Sequence, residues 1–163
     1  ADGKFETWVG TLVSPEEKLV IAADGREEIE HAVLRLHRIG YKCKGFLYSD
    51  AKKGLLSDSG LIDCKTLYSE IKSGNVPNIL DVRTPEEWNS SRIDGSANAP
   101  LSRLIKTEIE FDKELPIVAV CASGYRSSAA VGILERKGFK HISSLSEGME
   151  EWVKEEFPFT RNA

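Results

Sequence analysis

The residue of this 163-residue chain best suited to chemistry is Cys121, which ends an apolar run and precedes the loop Ala-Ser-Gly-Tyr-Arg-Ser. In an open parallel sheet, ligands bind beyond the carboxyl ends of the strands, so a loop in this position is where sites are built. A short strand-to-helix loop turns backbone N–H groups inward and forms an anion-binding nest above the helix N-terminus. A thiolate held in that nest is stabilised, and Arg126 can add a positive charge. The pattern predicts a reactive cysteine at position 121.

The residues after Cys121 favour the same interpretation. Gly124 permits a tight curl of the backbone, and the small side chains of Ala122 and Ser123 leave space for an incoming anion. Each residue also has a plain structural interpretation, such as a turn for Gly124 or a surface cation for Arg126. Because packing alone does not explain their combination around a cysteine at a strand end, we interpret the loop as functional.

The other thiols and imidazoles do not suggest a second site. Cys43 and Cys64 complete an odd count of three cysteines, none in a Cys-x-x-Cys pair, so neither zinc binding nor a disulfide framework is indicated. Both are expected to be small buried residues, and reduced thiols are typical of the cytoplasm. His31 and His37 lie six residues apart, a spacing that does not align side chains on a helix, so we expect surface residues and no bound metal.

Buried strands and amphipathic helices alternate through the later part of the chain. Apolar runs predict buried strands at residues 78–82 and 116–121, and a third strand is predicted at 141–145. Capping and periodicity signals predict a helix after Asp63 that ends at Gly74, one opened by Thr-Pro-Glu-Glu at 84–87, and two more at 127–137 and 149–156. This alternation indicates an α/β domain with a parallel sheet covered by helices on both faces.

The start of the chain reads as a degenerate repeat of part of this strand–helix order. A strand at 18–23 and the helix after it end at Gly40, as the later strand and helix end at Gly138. The two glycines lie 98 residues apart, and the same offset aligns Ala23 with Cys121, so the first copy lacks the sulfur atom.

The copy also lacks a counterpart of residues 78–100, so its sheet would be incomplete. We therefore expect a partial, inactive segment at 1–49, a linker at 50–61 and the functional domain at 62–163.

Several motifs between residues 62 and 157 resemble the rhodanese (thiosulfate sulfurtransferase) superfamily. They are Asn-Ile-Leu-Asp-Val-Arg at 78–83, Pro-Glu-Glu-Trp at 85–88, Ile-Asp-Gly-Ser-Ala-Asn-Ala-Pro at 93–100, the loop at 121–127, and Leu-Ser-Glu-Gly at 145–148 with Trp152. The resemblance implies that Cys121 is the nucleophile that becomes a persulfide. The residues that it implies in the substrate-binding cradle are Ala122, Ser123, Gly124, Tyr125, Arg126 and Ser127.

Three positions depart from the superfamily pattern. Arg92 stands where a histidine is usual, and Glu147 where the first glycine of a Gly-Gly pair is usual, so both bear on local packing. Glu87 stands where the two-domain thiosulfate enzymes carry a substrate-binding arginine, which argues against thiosulfate as the preferred donor.

As a whole, the chain resembles the C-terminal tandem part of metallo-β-lactamase–rhodanese fusion proteins. The resemblance implies a metallo-β-lactamase-type domain upstream in the full-length chain. It implies a sulfurtransferase that moves sulfur from thiosulfate or a persulfide to a thiol, sulfite or cyanide, without a metal or organic cofactor. The partners that it implies are a small anionic sulfur donor and a thiol acceptor.

Composition argues against several other classes of protein. The formal charge of −4 comes without a clustered basic tract, so nucleic acid is not an expected partner. No apolar run approaches the roughly 18 residues of a membrane helix, so no membrane association is expected. The sequence starts at Ala1 without a secretory leader, and we expect a cytoplasmic location.

Two alternative functions remain from the sequence. Cysteine phosphatases place five residues between cysteine and arginine, whereas four lie between Cys121 and Arg126, and the smaller ring suits a single sulfur atom better than a phosphate. The second alternative is a non-catalytic rhodanese-like binding or regulatory module. Many such modules have lost their cysteine, so the presence of Cys121 argues against it.

Overall fold

The computed structural model describes residues 5–48 and 60–161, which form two compact units, one in each range. The elements of the first unit are helix α1 (Phe5–Leu12), strand β1 (Leu19–Ala23), helix α2 (Arg26–Arg38) and strand β2 (Cys43–Tyr48). Strands β1 and β2 pair in parallel as a two-stranded sheet.

The first unit buries one face of α2 but leaves part of its sheet open. The buried residues of α2 are Ile29, Ala32 and Leu36. On the strands, Val20 and Phe46 are both more than half exposed, at 58% and 57%. Cys43, which the sequence predicts to be buried, is only partly covered because β2 lies at an edge of this small sheet. That partial burial raises the pKa of the Cys43 thiol.

The second unit alternates short strands with helices. Its strands are β3 (Gly60–Ile62), β4 (Asn78–Asp81), β5 (Ala97–Asn98), β6 (Ile117–Val120) and β7 (Ile142–Leu145). Its helices are α3 (Cys64–Lys72), α4 (Pro85–Ser90), α5 (Leu101–Leu104), α6 (Tyr125–Arg136) and α7 (Gly148–Lys154). The strands form one sheet in the order β3-β7-β6-β4-β5, and every neighbouring pair is parallel.

Alternation along β6 divides the core of the second unit between the two faces of the sheet. Val118 and Val120 pack with Leu67 of α3 and Trp152 of α7 in one hydrophobic cluster. Helix α6 contacts β6 and β7 and also packs against α5. The fold class is therefore the one that the sequence predicts, an α/β arrangement with a parallel sheet flanked by helices.

Side-chain caps fix where two of the helices begin. Asp63 accepts a hydrogen bond from the Thr66 amide at 2.9 Å and starts α3 at the predicted place. At α4, the Thr84 hydroxyl accepts from the Glu87 amide, while the Glu87 carboxylate accepts from the Thr84 amide at 3.0 Å. This reciprocal capping box holds the side chain of Glu87 back against the start of its own helix.

The structure differs from the sequence predictions in three places. Of the expected linker at 50–61, residues 50–59 lie outside the described ranges, whereas Gly60 and Leu61 form β3 because they pair with β7. Helix α6 begins at Tyr125 rather than Ser127. The short elements β5 and α5 carry too few residues to produce a periodic signal.

Within the part of the chain that the structure describes, no helix combines the length and apolar character needed to cross a bilayer.

Candidate functional site

Cys121 follows directly on β6, at the carboxyl edge of the sheet, and its exposed fraction is 1%. We call residues 121–127 the cysteine loop. Helix α6 begins inside this loop, and the N–H groups of its first turn have no carbonyl partner within the helix. Because α6 starts two residues earlier than predicted, its N-terminus with these donors lies close in sequence to Cys121. The arrangement suits a negatively charged sulfur atom.

The start of α7 holds the backbone of the cysteine loop in place. The Met149 amide donates to the Cys121 carbonyl at 2.8 Å, and the Glu150 amide donates to the Ala122 carbonyl at 3.0 Å. These bonds give the carbonyl groups of Cys121 and Ala122 partners on α7 and fix this part of the loop backbone. The loop therefore depends on an element that lies far along the sequence.

Two glycines permit this close approach. Gly124 has a φ of 85°, and a Cβ atom at this position would overlap the Ser146 carbonyl. Gly148 has a φ of 66°, and a Cβ atom there would overlap the carbonyls of Cys121 and Ala122. The sequence predicts a turn at Gly124, whereas Gly148 has no predicted role beyond its place in a motif.

A chain of buried hydroxyls reaches the sulfur atom. Cys121 Sγ lies 3.4 Å from Ser127 Oγ. Ser127 Oγ in turn lies 2.9 Å from the Gly124 carbonyl oxygen and 2.8 Å from Ser144 Oγ on β7. Ser127 and Ser144 are 0% and 1% exposed. The sequence predicts Ser127 as part of the cradle but carries no signal for Ser144, which comes from a strand distant in sequence.

Arg126 forms a bidentate ion pair with Glu87 of α4. Its Nη1 and Nη2 atoms lie 2.8 and 2.7 Å from the two carboxylate oxygens. The hydrogen bonds from Arg126 lower the pKa of Glu87 to about 2, and the same contact raises the pKa of Arg126. Arg126 is therefore not a free surface cation, because Glu87 offsets much of its charge.

A buried ion pair supports the neighbouring strand end. Arg83 Nη2 lies 2.6 Å from Asp81 Oδ2, and both side chains are at most 5% exposed. The side-chain Nδ2 of Asn98 donates to the backbone carbonyls of Asp81 and Arg83, both at 3.0 Å. These contacts order the connection between β4 and α4, and so position Glu87 opposite the cysteine loop.

The residues of the predicted cradle fall into three groups by exposure. Gly124 and Ser127 are buried with Cys121, while Ala122 and Arg126 are partly covered. Ser123 and Tyr125 are exposed, and the Tyr125 ring therefore lies at the solvent side of the loop.

The other two departures from the superfamily pattern find local partners. The guanidinium of Arg92 lies 4.3 Å from the centre of the Trp88 ring. Glu147 accepts a hydrogen bond from the Cys64 amide at 3.3 Å. Burial and the charge of Glu147 raise the pKa of the Cys64 thiol to about 12, so this cysteine is held as a thiol.

Among residues 5–48 and 60–161, no three His, Cys, Asp or Glu side chains are grouped so that they could hold a metal ion.

Residues 63–155 match the protein family described as "Rhodanese-like domain". The chain is 32% identical over 92 residues to "Putative sulfur carrier protein YrkF" of Bacillus subtilis, covering 56% of this chain and 50% of that protein. It is 26% identical over 117 residues to "Adenylyltransferase and sulfurtransferase MOCS3" of Oryza sativa, covering 64% of this chain and 26% of that protein. The chain thus spans half or less of the length of these two relatives.

Solved structures show the same fold. A rhodanese-related protein from Thermoplasma volcanium matches with a TM-score of 0.56 and 32% identity, over 62% of this chain and 97% of its own. A thiosulfate sulfurtransferase from Pseudomonas aeruginosa matches with a TM-score of 0.57 over 98% of this chain and 36% of its own. At 17% identity, the second match is a likeness of fold alone.

Proposed function

The chain belongs to the rhodanese-like domain family, and from that premise we propose that it is a sulfurtransferase in which Cys121 accepts and passes on a sulfane sulfur. The observation that carries the proposal is the position of Cys121 Sγ, beside a hydroxyl and at the N-terminus of a 12-residue helix. This environment stabilises a thiolate, which is the nucleophilic form of cysteine.

The proposed reaction is a double displacement. The Cys121 thiolate attacks the outer sulfur of the donor, forming a new S–S bond. The donor S–S bond breaks, and its electron pair leaves with the departing sulfite or thiolate. An acceptor thiol, sulfite or cyanide then attacks the outer sulfur of the Cys121 persulfide. The second S–S bond breaks, and its electron pair returns to Cys121 Sγ.

The roles proposed for the cradle follow from its position. Backbone N–H groups at the start of α6 stabilise the transferred sulfur, with Gly124 and Ser127 shaping the buried side. Ala122 and Ser123 leave room for the donor, and Tyr125 borders the solvent side.

The Glu87–Arg126 pair supports a donor of low charge. Because Glu87 engages both terminal nitrogens of Arg126, the loop attracts a dianion less than a lone arginine would. We therefore favour a thiol persulfide over thiosulfate as the donor and a small thiol as the acceptor.

The same pair argues against the two alternative functions. A phosphatase uses its loop arginine to bind phosphate, whereas here Arg126 is engaged by a carboxylate. A non-catalytic module has no need of a cysteine at the helix N-terminus, yet Cys121 is present and its loop is braced by α7.

The proposal also covers the first unit and the part of the full-length protein that lies upstream of it. The strand–helix–strand order of the first unit supports a partial, inactive copy before the catalytic domain, and the fold likeness over 98% of the chain is consistent with this. We propose that the full-length protein also carries an upstream metallo-β-lactamase-type domain and acts in the cytoplasm. Sequencing the complete reading frame tests the first point.

Mass spectrometry of the protein after incubation with a thiol persulfide or with thiosulfate tests the central proposal. We expect one added sulfur atom on Cys121, and its loss when a thiol acceptor is added. Cys121→Ser should abolish labelling and transfer, while Cys43→Ser and Cys64→Ser should retain most of both. Full transfer by the Cys121 variant would refute the proposal.

A further inference from the structure

We propose that Ser127 and Ser144 form a buried hydroxyl relay that gives Cys121 Sγ a switchable hydrogen bond. Ser127 would be a catalytic residue because its Oγ contacts the reacting sulfur, at 3.4 Å. Ser144 would be a positioning residue that acts through Ser127, from which it lies 2.8 Å away. The inference rests on the proposed function in that Cys121 is taken as the sulfur carrier.

The number of protons and lone pairs determines the direction of each bond. A serine hydroxyl has one proton to donate and two lone pairs to accept with. The Gly124 carbonyl can only accept, so the Ser127 proton points to it, at 2.9 Å. The two lone pairs of Ser127 Oγ then accept from the Ser144 hydroxyl and from the Cys121 thiol. All of these groups are satisfied while Cys121 carries its proton.

Loss of the thiol proton reverses the bond at the sulfur. A thiolate cannot donate, so Ser127 must turn its proton from the Gly124 carbonyl to Sγ to preserve the contact. The carbonyl is not left unpaired, because the hydroxyl and the amide of Ser128 also donate to it, at 2.9 and 3.1 Å. The Ser127 hydroxyl can therefore donate either to the Gly124 carbonyl or to Cys121 Sγ. It can change between them without leaving a buried polar group unpaired.

Ser144 keeps the relay in place from the opposite side. It lies on β7, its Cα is paired with those of Ala119 on β6 and Leu61 on β3, and it is 1% exposed. A hydroxyl buried in such a place is costly unless it is hydrogen bonded. By donating to Ser127 Oγ, Ser144 fixes that oxygen and polarises its O–H bond toward the sulfur.

The switch matters most at the second displacement. The sulfur of an acceptor thiol bonds to the outer sulfur of the persulfide anion, and the acceptor proton stays with the released persulfide. The bond between Cys121 Sγ and the outer sulfur breaks, and the electron pair collects on Sγ. A hydroxyl already beside Sγ can donate to that new charge, which makes Cys121 a better leaving group.

Charged groups on several elements also influence the sulfur. They are Arg126 on α6, Glu87 on α4, Asp81 and Arg83 at the end of β4, and Glu147 and Glu150 at the start of α7. None of them contacts Ser127 or Ser144 through a hydrogen bond that the structure describes. Substituting the two serines therefore leaves these charges unchanged and isolates the relay.

The test is the rate of alkylation by iodoacetamide against pH, measured on the whole chain with no donor present. Ser127→Ala should move the profile to higher pH and slow alkylation about tenfold at a fixed pH on its rising limb, because a charge-assisted bond outweighs the weak bond from a thiol. Ser144→Ala should give a smaller shift in the same direction, roughly threefold.

Two further variants separate the relay from general packing. The double variant Ser127→Ala/Ser144→Ala should behave like Ser127→Ala, because Ser144 acts through Ser127. Ser143→Ala, the matched control, removes the hydroxyl next to Ser144 on β7, whose side chain lies on the opposite face of the strand, and should leave the profile in place. Thermal unfolding of each variant shows that it is folded at the temperature used.

An unshifted profile for folded Ser127→Ala, or fully additive shifts in the double variant, would overturn the relay. A different outcome would refute the proposed sulfur transfer but not the relay. In that outcome wild-type Cys121 gains no sulfur from a donor, although Ser127→Ala shifts its alkylation profile. The two ideas thus have different readouts, one on the free thiol and one on the transferred sulfur.

Discussion

Glu87 and Arg126 stand 39 residues apart in the chain and meet through two hydrogen bonds of 2.8 and 2.7 Å beside the cysteine loop. Glu87 is also held by the capping box of α4, so its carboxylate cannot swing away without breaking that helix start. The pair links the end of β4 to the start of α6. It also sets the local charge next to the sulfur.

Removing the charge of Glu87 should change the preferred donor. Glu87→Gln leaves Arg126 uncompensated, so kcat/KM for thiosulfate should rise relative to that for cysteine persulfide. We expect a change of roughly fivefold in the ratio, which corresponds to about 1 kcal/mol. Glu86→Gln, on the same helix, is the control and should leave the ratio unchanged. An unaltered ratio in Glu87→Gln would show that the pair does not select the donor.

Removing Arg126 should have the opposite electrostatic effect. Arg126→Ala leaves the Glu87 carboxylate without its partner, so alkylation of Cys121 should require higher pH. The shift should be only partial, because the N-terminus of α6 and its amides remain. The double variant Arg126→Ala/Glu87→Gln should recover part of the wild-type profile, since both charges are gone. Identical profiles for wild type and Arg126→Ala would leave Arg126 with a packing role only.

The ion pair should also contribute to stability in a defined pH range. The pKa of Glu87 is lowered from 4.5 to about 2, so its contribution is present above about pH 5 and is lost as the pH falls toward 2. The melting temperature of wild type should therefore exceed that of Glu87→Gln at neutral pH, and the difference should shrink on acidification. A difference that stays constant from pH 7 to about 2 would contradict this assignment.

Gly148 should be needed for both the fold and the site. Gly148→Ala places a Cβ against the carbonyls of Cys121 and Ala122 and requires a left-handed backbone. We expect a loss of at least ~2 kcal/mol in the free energy of unfolding, together with slower sulfur transfer. Gly132→Ala is the matched control, because a Cβ there meets nothing within 4 Å and α6 should gain about 1 kcal/mol. Equal stability of the two variants in denaturant titrations would contradict the proposed clash.

Structural features formed by one contiguous segment of the chain could be predicted from the sequence. Strands β4 and β6 lie in short apolar runs, and the caps at Asp63 and Thr84 lie next to the helices that they start. Cys121 could be identified because its strand, loop and helix follow one another without interruption. Gly60 and Leu61, the first two residues of β3, fall in the predicted linker because a three-residue strand carries no periodicity and is ordered by pairing with β7.

Features that join distant segments could not be predicted in this way. Ser144 appears as one of two serines in the run Ile-Ser-Ser-Leu, and only the register of β7 against β6 brings it to Ser127. Glu87 was noticed as a departure from a pattern, but its contact with Arg126 depends on how α4 and α6 meet at the edge of the sheet. The contact of Gly148 with the cysteine loop likewise requires the folded chain.

The bracing of the cysteine loop by α7 has a consequence for the growing chain on the ribosome. Cys121 is synthesised 28 residues before Met149, whose amide holds the Cys121 carbonyl. Until that later segment has emerged and docked, the loop lacks the two backbone hydrogen bonds that hold the carbonyls of Cys121 and Ala122. The cysteine loop can therefore reach its folded arrangement only when the last helix of the domain is in place.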